Sequence, residues 1–212
     1  GLGDVYKRQI LVATTRPETI FGDTAVAVNP NDKRYKKLVG KKLIVPLVNR
    51  VVPIIGDKSV DSEFGTGCLK VTPAHSEKDF EIGIRNNLDI IDIFNDDASL
   101  NDYGMHYKSL DRFSVRKKII TELDEKGLLD RADDYTHNIA LSERTSCVVE
   151  PKLSTQWFVR MKKLSNPALD LVLNGDIQFY PKKYVKTYKN WLENIRDWNI
   201  SRQLWWGHRI PV

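Results

Sequence analysis

Short apolar, β-branched runs closed by Pro, Gly, Asn or Asp fill the chain from Ile10 to about Asn138. ILVATT, DTAVAVN, KLIVPLV, VVPIIG and LKVT have the length and composition of strands. Helical spacing is rarer there. DKRYKKLV and EKDFEIGIRNN fit it, and RFSVRKKIITELDEKGLL fits it best, with Gly127 near its end as a stop. Many short strands with few helices predict an α+β chain whose larger part is a β-rich, barrel-like domain. Past Glu150 the pattern changes. SNPALDLVLNG and YPKKYVKTYKNWLENIRDW are helical in period, and all five tryptophans lie beyond residue 150. The expected organisation is an unassigned extension over 1–9, a β-rich domain over 10–148, and a partial helical segment over 149–212, with the boundary close to Pro151.

Composition narrows the class. In 212 residues, 41% hydrophobic and 29% charged positions suit a globular protein with a real core. No apolar run nears the ~18 residues that cross a bilayer, and no signal-peptide pattern opens the chain, so neither a membrane nor secretion is expected. Cys68 and Cys147 are too few for a disulfide framework or a four-ligand zinc site. His75, His106, His137 and His208 lack metal-ligand spacing, so no metal is expected, and the expected location is cytoplasmic. The net charge of +5 is modest. Lys182, Lys183, Lys186, Lys189 and Arg196, however, alternate with Tyr and Trp. Such a stretch can hold phosphates and stack bases, or can be an amphipathic helix with an aromatic inner face.

Two stretches carry candidate chemistry. In ATTRPETIFGDTA, Arg16 precedes a proline, which drives its backbone toward extended geometry. Thr15 and Glu18 have capping-box spacing. Thr14, Thr15 and Thr19 surround one guanidinium with hydroxyls, a set able to grip a ribose or a phosphate. In FGTGCLKVTPAHSEKDFEIG, two glycines allow positive φ or close approach. Alternation puts Lys70 and Thr72 on one strand face, and Pro73 ends the strand. Ser76 and Asp79 have N-cap spacing, with Asp79 in the first helical turn. A capped helix after a hairpin explains Ser76 and Asp79. It does not explain why Lys70, Thr72 and His75 crowd the same junction, which favours a polar pocket.

ATTRPET, then FGTGCLKVTPAH with Asp79, then DWNISRQLWWGHRIP resemble the valyl-tRNA synthetases, in that family's order and over nearly everything from Ile10 onward. The resemblance implies that the first two motifs belong to the editing domain inserted in a class I catalytic domain, and that the third marks the chain's return into it. The isoleucine enzymes carry His-x-Ala-Pro-Ala where this chain has KVTPAH, so the valine type fits better. The implied reaction is hydrolysis of threonine mis-esterified to the valine tRNA. An apolar pocket cannot exclude an isostere that merely adds a hydroxyl, and valine against threonine is the standard illustration. A second, polar pocket can select that hydroxyl and spare valine.

By the same resemblance, the catalytic set is Lys70, Asp79 and Thr72, with Asp79 holding the substrate ammonium and Lys70 facing the ester or a phosphate. Arg16, Thr14, Thr15, Thr19, Phe64, His75 and Ser76 would bind substrate, with Phe64 packing on the terminal adenine. Water is the nucleophile, and catalysis is positioning and polarisation. Editing needs no cofactor, whereas ATP and Mg serve the full-length parent enzyme, whose His-x-Gly-His and Lys-Met-Ser-Lys-Ser motifs are missing here. The implied partners are the 3′ acceptor end of valine tRNA and mischarged threonine, and a monomer is expected. The family has aspartate where this chain has Ser76, which keeps the cap and removes a charge. Trp205 and Trp206 are expected outside the editing pocket. Two alternatives stand beside this reading: an isoleucine-type editing domain, and a non-catalytic insert that binds the tRNA acceptor end.

Overall fold

The computed structural model describes residues 9–143, 145–202 and 206–211, in two compact units, Gly1–Leu153 and Ser154–Val212. The extension expected over 1–9 falls outside the described residues except for Gln9.

The larger unit is built on a four-stranded sheet. Its strands are β1 (Ala25–Val28), β2 (Lys42–Val45), β3 (Arg50–Gly56) and β4 (Cys68–Val71), in the order β2-β3-β1-β4. β1 runs parallel to β3, and β4 antiparallel to β1. Central β1 reads AVAV and is buried throughout, as expected of a strand covered on both faces. Ala25 and Ala27 pack with Val60, Val71 and Ile82 of helix α1 (Glu77–Arg85), while Val26 and Val28 pack with Ile54 and Cys68 on the other face. Pro53 is tolerated in β3 because that strand pairs with β2 through residues 50–53 and with β1 only from Ile54 onward. Helix α2 (Arg112–Glu125) brings Val115 and Ile119 into a third cluster with Phe21, Ile93, Phe94, Leu100 and Tyr107.

The sheet is mixed and open, with β2 and β4 at its edges, so the barrel-like expectation is corrected. Closure takes roughly five to eight strands, and one of the expected strands is missing. Among the described residues, ILVATT pairs with no strand. Its Ile10 and Val12 pack behind β1 while Leu11 is exposed, so the alternation serves packing without a ladder. DKRYKKLV contributes only a 3₁₀ turn at Lys36–Leu38.

Close approach fixes α1 against the strand end. A Cβ on Gly83 would lie 2.9 Å from Pro73 Cγ, and only glycine leaves that gap. Among the described residues, Thr24 Oγ1 is the buried side-chain oxygen without a hydrogen-bond partner. A buried unpaired hydroxyl costs stability, so Thr24→Val is expected to stabilise by about 1 kcal/mol, a rise in Tm of roughly 2–4 °C. An unchanged or lower Tm in a thermal melt would contradict this.

The second unit holds helices α3 (Met161–Leu173) and α4 (Tyr184–Glu193) and a short antiparallel pair, β5 (Phe158–Val159) with β6 (Trp198–Asn199). α4 buries none of its residues, and Tyr180, Trp191, Trp198 and Trp206 are exposed. Trp205 lies outside the described residues.

Candidate functional site

β4 stops because Pro73 has no N–H to donate, and the chain turns through Ala74 and His75 into α1. Ser76 is the N-cap, its Oγ accepting from Asp79 N at 3.3 Å, as the spacing predicts. Asp79 is thereby held in the first turn beneath the strand end, where its Oδ2 accepts from Thr72 N at 2.9 Å. Lys70 and Thr72 share a strand face, and Lys70 Nζ donates to Thr72 Oγ1 at 2.7 Å. Both meet Asp23, two residues ahead of β1. Asp23 Oδ1 accepts from Lys70 Nζ at 2.6 Å and from Thr72 Oγ1 at 2.7 Å.

Asp23 and the distant stretch 70–79 thus deliver two carboxylates, one ammonium and one hydroxyl to a single cluster. Burial raises the Asp79 pKa, while the Thr72 N–H, the Lys70 charge and Ser76 pull it down. Burial raises Asp23 as well, opposed by Lys70 and by the hydrogen bond from Thr72. Asp79 Oδ1 accepts no hydrogen bond among the described residues and is not sealed from solvent, so it can still take a donor.

A second cluster adjoins the first. Arg16 Nη1 donates to the His75 carbonyl at 2.9 Å, its Nη2 pairs with Glu150, and its Nε lies 3.6 Å from Glu18. Glu18 is fully buried and receives Arg116 through two bonds, 2.9 and 2.6 Å. Arg112 Nε reaches the other Glu150 oxygen at 3.2 Å. Burial and the two neighbouring arginines act against the Arg16 charge and Glu18 acts for it. A guanidinium nevertheless stays protonated. The capping box expected of Thr15 and Glu18 does not form. The 3₁₀ turn Pro17–Gly22 has Arg16 at its N-cap without a side-chain bond, because the Glu18 carboxylate turns inward to Arg116.

His75 is 1% exposed, and both ring nitrogens are used. Nε2 accepts from Ile93 N at 3.0 Å and Nδ1 donates to the Pro151 carbonyl at 3.2 Å. An amide N–H can only donate and a carbonyl can only accept, so the ring is the neutral Nδ1–H tautomer. Burial pushes its pKa down to about 4, against the pull of Pro151 and Asp92.

Of the residues expected at the site, Lys70, Thr72, Ser76 and Asp79 form the first cluster. Arg16, Thr19 and His75 form the second, with Thr19 Oγ1 donating to the Arg16 carbonyl at 2.9 Å. The clusters join through the backbone, where His75 N donates to Thr72 O at 3.1 Å. His75 has no nitrogen free for a ligand. Thr14 and Thr15 are exposed, and Thr14 Oγ1 accepts from Arg16 N. Phe64 stands 70% exposed on a loop turned by Gly65 and Gly67 at φ +58° and +76°. No described hydrogen bond links that loop to either cluster.

Asp23, Glu18, Arg112, Arg116 and Glu150 were not expected at the site. Two signals pointed to some of them: Arg112 and Arg116 are spaced i,i+4 on one helix face, and Asp23 abuts an otherwise apolar strand. Among the described residues no group of three or more His, Cys, Asp or Glu side chains could hold a metal ion.

An open mixed sheet whose strand end and following helix carry this cluster coincides with a sequence match. Residues 3–212 match the tRNA synthetases class I (I, L, M and V), and the chain belongs to that family. Within it, the chain is similar to valine–tRNA ligases. It is 59% identical over 203 residues to the one from Christiangramia forsetii, covering 96% of this chain and 23% of that protein. It is 57% identical over 210 residues to the one from Phocaeicola vulgatus, covering 99% and 24%, and 56% identical over 203 residues to the one from Thermotoga maritima, covering 96% and 24%. The chain therefore spans about a quarter of the length of the curated relatives it matches. A solved LeuRS-tRNA-LeuAMS complex from Agrobacterium radiobacter K84 is similar over 58% of this chain and 18% of its own, at 22% identity and a TM-score of 0.45, too loose a likeness for any argument.

Proposed function

We propose that this chain is the editing hydrolase of a valine–tRNA ligase, removing threonine mis-esterified to the valine tRNA. The observation that carries the reading is the Lys70–Asp79 arrangement: an ammonium on the Thr72 hydroxyl and a half-free carboxylate on the Thr72 backbone N–H. Asp79 Oδ1 accepts the substrate's α-ammonium, a charge-assisted bond. Two of the three Lys70 N–H groups are committed to Asp23 and Thr72, and the third polarises the ester carbonyl. Water adds to that carbonyl and the bond to the ribose oxygen breaks; one water proton ends on the ribose oxygen, the other passes to solvent, and threonine departs as its carboxylate. The chain supplies positions and charges, and no cofactor enters this step. ATP and Mg belong to the ligation reaction of a full-length parent.

The valine reading is supported over an isoleucine-type one by the valine–tRNA ligases the chain resembles. The partner is the 3′ end of a tRNA, met by a monomer in the cytoplasm. Among the described residues no helix is long and apolar enough to cross a membrane.

The test is deacylation of threonyl-tRNA by the purified chain. Asp79→Ala is expected to lower kcat/KM about a hundredfold, the sum of roughly 1.5–3 kcal/mol for a lost charged hydrogen bond and the misplacement that follows. Equal rates for wild type and Asp79→Ala would leave the chain as a non-catalytic acceptor-end binder.

A further inference from the structure

We propose that Asp23 is a positioning residue that fixes the Lys70 ammonium for the ester, an inference that rests on the editing reading above. Asp23 Oδ1 takes Lys70 Nζ at 2.6 Å directly and Thr72 Oγ1 at 2.7 Å, and Thr72 Oγ1 takes Lys70 Nζ at 2.7 Å. The three atoms close a triangle. Thr72 has one hydroxyl proton, and it is given to Asp23, so a Thr72 lone pair must face the ammonium. Two N–H groups of Lys70 are thereby aimed inward, and tetrahedral geometry leaves the third a single direction.

Asp23 is itself fixed. Arg50 Nη1 donates to the carbonyls of Phe21 and Asp23, both at 2.9 Å, clamping the turn from which the carboxylate projects. The pair is nearly dry, with side chains 12% and 6% exposed for Lys70 and Asp23. Solvent therefore screens the attraction little, and a long flexible side chain loses its other rotamers. Without Asp23, Lys70 would keep Thr72 as an anchor that could equally donate to the solvent side, and the ammonium would swing.

Lysine 15Nζ NMR on the labelled full chain, paired with single-turnover deacylation of threonyl-tRNA, tests this. The Lys70 ammonium is expected to exchange slowly with water in the wild type and to lose its signal in Asp23→Asn, which is nearly isosteric and uncharged. The same variant should lower kcat at least about tenfold with KM within about twofold, as expected for misplacement of a group that acts on the transition state. In a Lys70→Met background, Asp23→Asn should cost nothing further, because its effect runs through the absent ammonium. A merely structural Asp23 would lower the rate equally in both backgrounds, and that result overturns the proposal. So does a slow-exchanging Lys70 signal that survives Asp23→Asn. Should Asp23→Asn fail to fold, Asp23→Ser removes the same carboxylate and should lose the same signal; its persistence is equally fatal. If the wild type does not hydrolyse the ester, the editing reading fails, and the NMR signal still decides the clamp.

Discussion

Glu18→Ala is expected to destabilise the larger unit by about 3 kcal/mol, at the lower end of what breaking a buried ion pair costs, and so to lower Tm by roughly 10 °C. Glu18 is fully buried and accepts two bonds from Arg116, with Arg16 Nε 3.6 Å away. Truncating it leaves the partly buried Arg116 guanidinium without its carboxylate and close to that of Arg16, which keeps only Glu150. The pairing itself is not the source of the effect. Replacing both partners, as in Glu18→Leu with Arg116→Met, should recover most of the loss, since an apolar pair of similar volume needs no compensation. Urea unfolding of the three variants reads this, and a Glu18→Ala protein within about 1 kcal/mol of wild type would remove the pair from the stability account.

The second large effect is on acid stability. The His75 pKa is about 4 in the fold against 6.5 when free, so between those values the unfolded chain binds the extra proton. Stability from this group is therefore fully present above pH 6.5 and is lost as pH falls through 4, by about 3 kcal/mol in all. Protonation would also place a second proton on Nε2, opposite the Ile93 N–H that it accepts. Asp23 and Asp79 act with the opposite sign. Burial raises both, so each contributes less as pH rises through its own transition. Subtracting their effect requires a partner protein, His75→Gln, in which they are unchanged. The stability gap between wild type and His75→Gln should be widest near pH 7 and shrink by about 3 kcal/mol by pH 4. Parallel stability curves over that range would show that the imidazole does not titrate as its burial implies.

Local signals were legible in the sequence and distant ones were not. AVAV, CLKV and RFSVRKKIITELDE form the expected strands and helix because local pattern and propensity agree there. Ser76 caps α1 and Lys70 meets Thr72 because both relations are set within a few residues. ILVATT misled because apolar alternation states which side chains go inward, not whether the backbone finds a partner. Glu18 misled for a related reason. Its capping-box spacing is a local pattern, and an arginine 98 positions away offers the carboxylate a stronger bond. Asp23 lies 47 residues from Lys70 and 49 from Thr72. Nothing in the spacing announces that triangle, because it exists only once β1 and β4 lie side by side.

Asp79 and Gly83 stand one helical turn apart on the same face of α1. The missing side chain at Gly83 sets how closely the helix rests on Pro73. The depth of the carboxylate is thus governed by the absence of a side chain at Gly83, and any larger residue there would lever the helix outward and carry the acid with it. Charge at one position and bulk at the other are separate controls on the same site, the first chemical and the second purely geometric.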